Sequence, residues 1–169
     1  MEKTNNGKAG TLSLFRELER EGLRFLVIGG FASNLYGVGR ATFDLDLAIA
    51  PDQDHVGRLL NVLRRLGYRR LVDVNTEKAI GDIDRVDIQR IIGLESVRVK
   101  NGRDVDILIV PSTQFEYLWQ YRVDLEYHGA KIPLPNPVDL IHMKEQSSRP
   151  VDLEDARKLR HIIASKKRR

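Results

Sequence analysis

The chain has 169 residues, 41% of them hydrophobic and 31% charged, and contains no cysteine. That is enough for one ordinary domain with a real core, and it excludes a disulfide framework and Cys-ligated zinc. The formal net charge is +4, but Lys166-Lys167-Arg168-Arg169 accounts for it, leaving 24 basic residues against 24 acidic ones in the body.

No apolar run approaches the ~20 residues of a membrane span. The opening MEKTNNGKAGT has no hydrophobic stretch of the signal-peptide kind, so the expected location is cytoplasmic. Residues 1–10 are polar and without period and are expected to be disordered. The expected organisation is one domain over 11–164 followed by a basic tail at 165–169. A solvated tail is the simplest reading of that end; a nucleic-acid contact is the alternative.

Thr11 to Gly22 predicts a helix, with Leu12, Leu14, Phe15 and Leu18 as its apolar stripe and Gly22 closing it. Arg24 to Ala50 then carries most of the information. Phe25 to Ile28 reads as a buried strand, Gly29-Gly30 as a turn, and Phe31 to Tyr36 as a short helix. A second strand holds Asp44 and Asp46. Two glycines let backbone approach a ligand closely, and a helix N-terminus presents unpaired N–H groups to an anion. Alternation along the second strand points Asp44 and Asp46 to one face and Leu45, Leu47 and Ile49 into the core. Paired carboxylates facing an anion site make chemical sense with a divalent cation between them, since Mg²⁺ is commonly held by one or two carboxylates plus substrate phosphates.

Asp52 is placed to cap a helix over Gln53 to Leu66, whose stripe is Val56, Leu59, Leu60, Val62, Leu63 and Leu66. Tyr68 to Val74 alternates as an exposed or edge strand. Thr76 to Ile92 fits a helix better in its first half and a strand better near Gln89 to Ile92. Asn101-Gly102 is a strong hairpin signal, pairing Ser96–Lys100 antiparallel with Arg103–Val110. On that last strand Asp104 and Asp106 share a face, which adds a third strand-borne carboxylate. Acids placed among aliphatics cost stability unless a cation or water satisfies them. Asp104, beside the turn, reads as a surface residue.

A helix is expected from Pro111-Ser112 through Trp119, then a hairpin or single strand over Leu125–Leu134. Two more helices follow, one started by Asn136-Pro137 and one by Arg149-Pro150. The whole predicts an α/β (α+β) domain: a mixed sheet flanked by helices, with two helices at the C-terminal end. His55, His128, His142 and His161 form no metal spacing, and neither a Gly-x-Ser-x-Gly elbow nor a Gly-x(4)-Gly-Lys-Ser/Thr phosphate loop is present. Tyr117 and Trp119 read as core aromatics, with base stacking as the alternative.

Gly29-Gly30-Phe31, then Asp44-Leu45-Asp46, then a later Val105-Asp106-Ile107-Leu108 strand resembles the nucleotidyltransferases of the polymerase-β-type fold. The run Arg40-Ala41-Thr42-Phe43-Asp44-Leu45-Asp46 is similar to the AbiEii-like, minimal branch. So is the later Lys144, Arg149, Asp152, Asp155 and Leu159 spacing. The likeness covers about residues 24–160. It implies that Asp44, Asp46 and Asp106 are catalytic and bind two Mg²⁺ ions. It further implies that Gly29, Gly30, Arg40, Thr42, Lys144 and Arg149 bind the NTP substrate, with Asp152 orienting Lys144 or Arg149. Many members of the wider group have serine where Gly30 stands. The implied reaction moves NMP from an NTP to a hydroxyl of RNA, protein or a small molecule. A toxin–antitoxin setting with a cognate partner protein is also implied. The rival reading is a catalytically silent nucleotide-binding or toxin-neutralising protein.

Overall fold

The computed structural model describes residues 3–166, and side-chain surroundings from residue 10 onward. Helix α1 (Lys3–Arg20) starts well before Thr11, so the helix runs into the stretch expected to be disordered. Its apolar residues Leu14, Phe15 and Leu18 are buried, as their spacing predicted. Strand β1 (Leu26–Ile28), helix α2 (Gly29–Leu35) and strand β2 (Leu45–Ile49) follow, and helix α3 (Gln53–Arg65) is capped by Asp52, whose side chain accepts from the His55 N–H.

Next come β3 (Arg70–Asp73), β4 (Ala79–Asp82), α4 (Ile88–Ile92), β5 (Ser96–Lys100) and β6 (Val105–Ile109). The 76–92 stretch therefore has the opposite order to the one expected: strand first, helix second. Asp87 decides the second half locally, because its carboxylate accepts from Gln89 N–H and caps α4. The chain continues through α5 (Ser112–Gln120), the hairpin β7 (Val123–Tyr127) and β8 (Ala130–Leu134), α6 (Pro137–Ser147) and α7 (Pro150–Lys166). The remainder of the basic tail, 167–169, lies outside the described residues.

Six strands form one mixed sheet in the order β1-β2-β6-β5-β3-β4, with β2 and β6 parallel and every other pair antiparallel. The edge beside β3 is held by β4, so β3 is an inner strand rather than the edge strand expected. One sheet face carries Leu45, Leu47, Val97, Val99, Val105 and Ile107 into the main core, where α1, α3 and β8 pack. The other face is divided. Leu26, Ile28 and Ala48 pack with Val110 beneath Phe115 and Leu118 of α5. Next to that apolar patch, the same face turns polar at Asp46 and Asp106. Among the described residues no helix is long and apolar enough to cross a membrane.

Candidate active site

The polar part of the sheet is built by register. Asp46 of β2 lies opposite Asp106 of β6, and Asp106 lies opposite Arg98 of β5. Cross-strand partners share a face, so the three form one charged row over three adjacent strands. Asp44 lies two residues before Asp46, just ahead of β2, and is exposed. The sheet thus brings the three expected carboxylates to one region.

Asp46 is the most perturbed of them. Its carboxyl is pushed up to about 6, first by burial, then by repulsion from Asp106 and Asp44, against the opposing pull of Lys144 and Arg149. Its carboxylate takes no hydrogen bond from the described residues. It rests on Gly29, which has φ +66; a Cβ there would lie 2.7 Å from Asp46 Cγ. Gly29 is therefore required twice, by its left-handed backbone and by the carboxylate over it.

Gly30 has a different constraint. A Cβ on it would lie 2.7 Å from Nη2 of Arg40 and 2.9 Å from Oγ1 of Thr42. Arg40 and Thr42, reached through the loop after α2, cover Gly30 in the first turn of α2 rather than in a turn ahead of the helix, where a serine side chain would otherwise project. Asn34 holds that loop: its side-chain NH₂ donates to the Arg40 carbonyl at 2.6 Å, and its Oδ1 accepts from the Arg40 N–H at 2.9 Å.

Arg40 opens a chain of alternating charges. Its Nε donates to Asp155 Oδ1 and Oδ2 at 2.8 and 3.0 Å. Lys144 Nζ lies 2.9 Å from Asp155 and 2.6 Å from Asp152, and Arg149 Nε donates to Asp152 at 2.6 Å. Ser147 Oγ also donates to Asp152. Burial alone would raise Asp152 and Asp155. For Asp152, bonds from Lys144, Ser147 and Arg149 outweigh burial and hold its carboxyl at about 2. Asp155 is likewise held low by Arg40 and Lys144. Three cations against two carboxylates leave one surplus positive charge.

That surplus sits at Arg149, whose side chain is 70% exposed. Only its Nε is engaged among the described residues, so its two terminal nitrogens are uncommitted. Asp152 meets both Lys144 and Arg149, the cations of which it was expected to orient one. The Lys144 ammonium is buried, 4% exposed, against Asp152 and Asp155. Lys144 lies in the last turn of α6 and Arg149 precedes α7, and neither forms an ion pair with Asp44 or Asp46.

Sequence reasoning missed Arg98. Its Nε donates to Asp106 Oδ1 at 2.7 Å and its Nη2 to Oδ2 at 2.9 Å, which raises the guanidinium above its ordinary value. Alternation could have put Arg98 on the acidic face, but only the β5–β6 register makes it the partner of Asp106. The expected core aromatics divide. Trp119 stacks on Phe115 at 6.1 Å, with Arg122 over its ring at 4.0 Å. Tyr117 is exposed and leans on Tyr121, because positions two apart on a helix leave by different sides.

Three carboxylates offer hard oxygen donors, and Asp46, partly buried and without a donor, is a group a cation would satisfy. Among the described residues, however, no group of three or more His, Asp or Glu is arranged to hold a metal by itself. The residues fit an ion that shares its ligands with substrate phosphates, as Mg²⁺ commonly does, rather than an all-protein cage.

No family model matches the chain, and no curated protein does. Solved structures do. The lincosamide antibiotic adenylyltransferase LnuA, in its lincomycin-bound crystal structure, aligns with a TM-score of 0.63 at 13% identity, over 91% of this chain and 96% of that one. TM1012 from Thermotoga maritima, classed as a nucleotidyltransferase, aligns at 0.59 and 17% identity, over 96% and 95%. The antibiotic-resistance factor ANT(2'')-Ia aligns at 0.59 and 16%, over 98% and 85%. The fold is that of the nucleotidyltransferases.

Proposed function

We propose that the protein is a metal-dependent nucleotidyltransferase that moves NMP from an NTP to a hydroxyl acceptor. The observation that carries this is the Asp46 carboxylate, partly buried on Gly29, without a donor, and in register with Asp106. A left-handed glycine that makes room for a buried carboxylate without a donor is hard to explain by stability alone, and such perturbed carboxylates cluster at functional sites. The fold shared with adenylyltransferases supports the same reaction class. One of those neighbours is seen bound to lincomycin and another in complex with adenylyl-2''-tobramycin, which among the RNA, protein and small-molecule acceptors supports the small hydroxylated molecule.

Asp44, Asp46 and Asp106 would hold Mg²⁺, which would supply charge neutralisation at the transferring phosphate and the leaving pyrophosphate. The remaining work falls to the chain. The first N–H groups of α2, at Gly29 and Gly30, have no partner within the helix and would donate to the phosphates, with Arg40 and Thr42 beside Gly30. Arg149 offers its two free nitrogens as a fork to the triphosphate. Lys144 acts indirectly, joining Asp152 under Arg149 to Asp155 under Arg40, so both guanidiniums are set before substrate arrives. In the transfer, the acceptor oxygen bonds to the α-phosphorus, the bond to the bridging oxygen of the β-phosphate breaks, and pyrophosphate leaves. The hydroxyl proton passes to Asp106 Oδ1 or Oδ2, or to water.

The AbiEii-like motif spacing supports a place in that branch and, with it, a toxin–antitoxin setting. A silent nucleotide-binding protein is the second reading, favoured by the bidentate hold of Arg98 on Asp106. Incubation with each α-labelled NTP, Mg²⁺ and total RNA, total protein, or a panel of aminoglycosides and lincosamides decides between them. Label transfer that requires Mg²⁺ is expected; nucleotide binding without transfer to any acceptor would establish the silent reading.

A further inference from the structure

We infer that Arg98 is a resident counterion of Asp106, a positioning residue that withholds the third carboxylate from metal until nucleotide is bound. The inference rests on the metal-dependent reading above. Three observations carry it. Both oxygens of Asp106 are engaged by one guanidinium, at 2.7 and 2.9 Å, and both side chains are largely enclosed, 22% and 16% exposed. The carboxylates do not form a three-ligand metal group among the described residues. And Arg98 has a second carboxylate within reach: Nη1 lies 3.4 Å from Glu77, an exposed residue in the turn between β3 and β4.

The physical consequence follows from counting charges. With Arg98 in place, the row Asp46–Asp106–Arg98 and nearby Asp44 carry a net charge of −2 rather than −3. A divalent ion approaching Asp106 must meet the guanidinium's charge and disturb a bidentate bond, which is stronger than an ordinary one. A triphosphate changes that balance. It brings negative charge that competes for the guanidinium and oxygen ligands that hold the ion beside Asp106, so the ion can draw the carboxylate from Arg98 while Glu77 keeps the guanidinium partnered. The substrate-free protein should thus bind metal weakly, and the ion should enter with the nucleotide.

A guanidinium that merely braced two strands would support the carboxylate geometry, so its removal would weaken metal binding. A resident counterion predicts the opposite sign. The probe is Mn²⁺ alone, titrated by electron paramagnetic resonance into the full chain without nucleotide. Arg98→Met should bind Mn²⁺ at least ten times more tightly than wild type, and Asp106→Asn in the Arg98→Met background should remove the gain. Arg98→Gln gives the same comparison should the Met variant fail to fold. Arg98→Lys, which keeps a charge without the fork, should fall between. Equal or weaker Mn²⁺ binding by Arg98→Met and Arg98→Gln, while wild type binds Mn²⁺ with a non-hydrolysable NTP analogue, would overturn the counterion role alone. Absence of Mn²⁺ binding by every variant, with or without the analogue, would overturn both this role and the metal-dependent reading.

Discussion

The carboxylate of Asp46 occupies the space into which a Cβ on Gly29 would project. The turn and the acid are therefore one structural unit. Gly29→Ala meets two penalties, a positive φ and a steric conflict with Asp46. Gly22→Ala serves as the comparison, since Gly22 has φ +62 but nothing within 4 Å of its would-be Cβ. Backbone strain alone should cost Gly22→Ala about 1 kcal/mol, and Gly29→Ala should lose at least ~1 kcal/mol more. Urea unfolding of the two variants measures the difference, and transfer activity should fall only in Gly29→Ala.

Asp46→Asn should remove activity while stabilising the metal-free protein. The carboxyl of Asp46 lies at about 6 when folded against 3.8 as its ordinary value. Between those values the folded state holds more proton than the unfolded one, so stability falls as pH rises from about 4 to about 6. Asparagine deletes that loss. Allowing for its partial exposure, the variant should gain ~1–2 kcal/mol at pH 7.5. Its stability should also be flatter across the window. Denaturant titrations at several pH values check this, and activity above about a tenth of wild type would mean that ~1.4 kcal/mol or less of the barrier was lost.

Arg149→Ala should leave the fold unchanged, because the side chain is 70% exposed. NTP binding should weaken by roughly 1.5–3 kcal/mol, the worth of a charged hydrogen bond. Calorimetry with a non-hydrolysable analogue reads this directly. Unchanged affinity would reduce Arg149 to a neighbour of Asp152.

Lys144→Ala should behave in the opposite way. It leaves Asp152 and Asp155 buried without their shared cation, a change that typically costs 3–5 kcal/mol. Because Asp152 is held at about 2, the wild-type contribution is fully present above pH ~4 and is lost as pH falls from 3.8 towards 2. Acid unfolding of wild type and Lys144→Ala should therefore converge at low pH. A loss below ~1 kcal/mol at pH 7 would deny the buried chain its structural role.

Local chemistry made much of this molecule legible from the amino-acid sequence. Alternation around Asp44 and Asp46, the Asn101-Gly102 hairpin, the Asp52 and Asn136 caps and the α3 stripe depend on neighbours within a few residues. The structure bears them out except at two ends: β2 begins at Leu45, so Asp44 precedes the strand, and α3 stops at Arg65, so Leu66 lies past the helix and is only half-buried. Where local signals were mixed, in Thr76–Ile92, tertiary pairing prevailed: β4 became a strand by adding to β3, while the Asp87 cap turned the rest into α4. Tyr68–Val74 looked like an edge because nothing in its own pattern shows which strand will lie outside it. The site divides in the same way. That Asp46 and Asp106 would each face away from the aliphatic core was readable, with Asp44 beside them, since side-chain period is a property of each strand. That Arg98 would hold Asp106, and that Lys144 would meet Asp155 as well as Asp152 and be buried there, was not. Those partnerships depend on strand register and on how α6 meets α7, which bring together residues whose charges carry no sequence record of their distance.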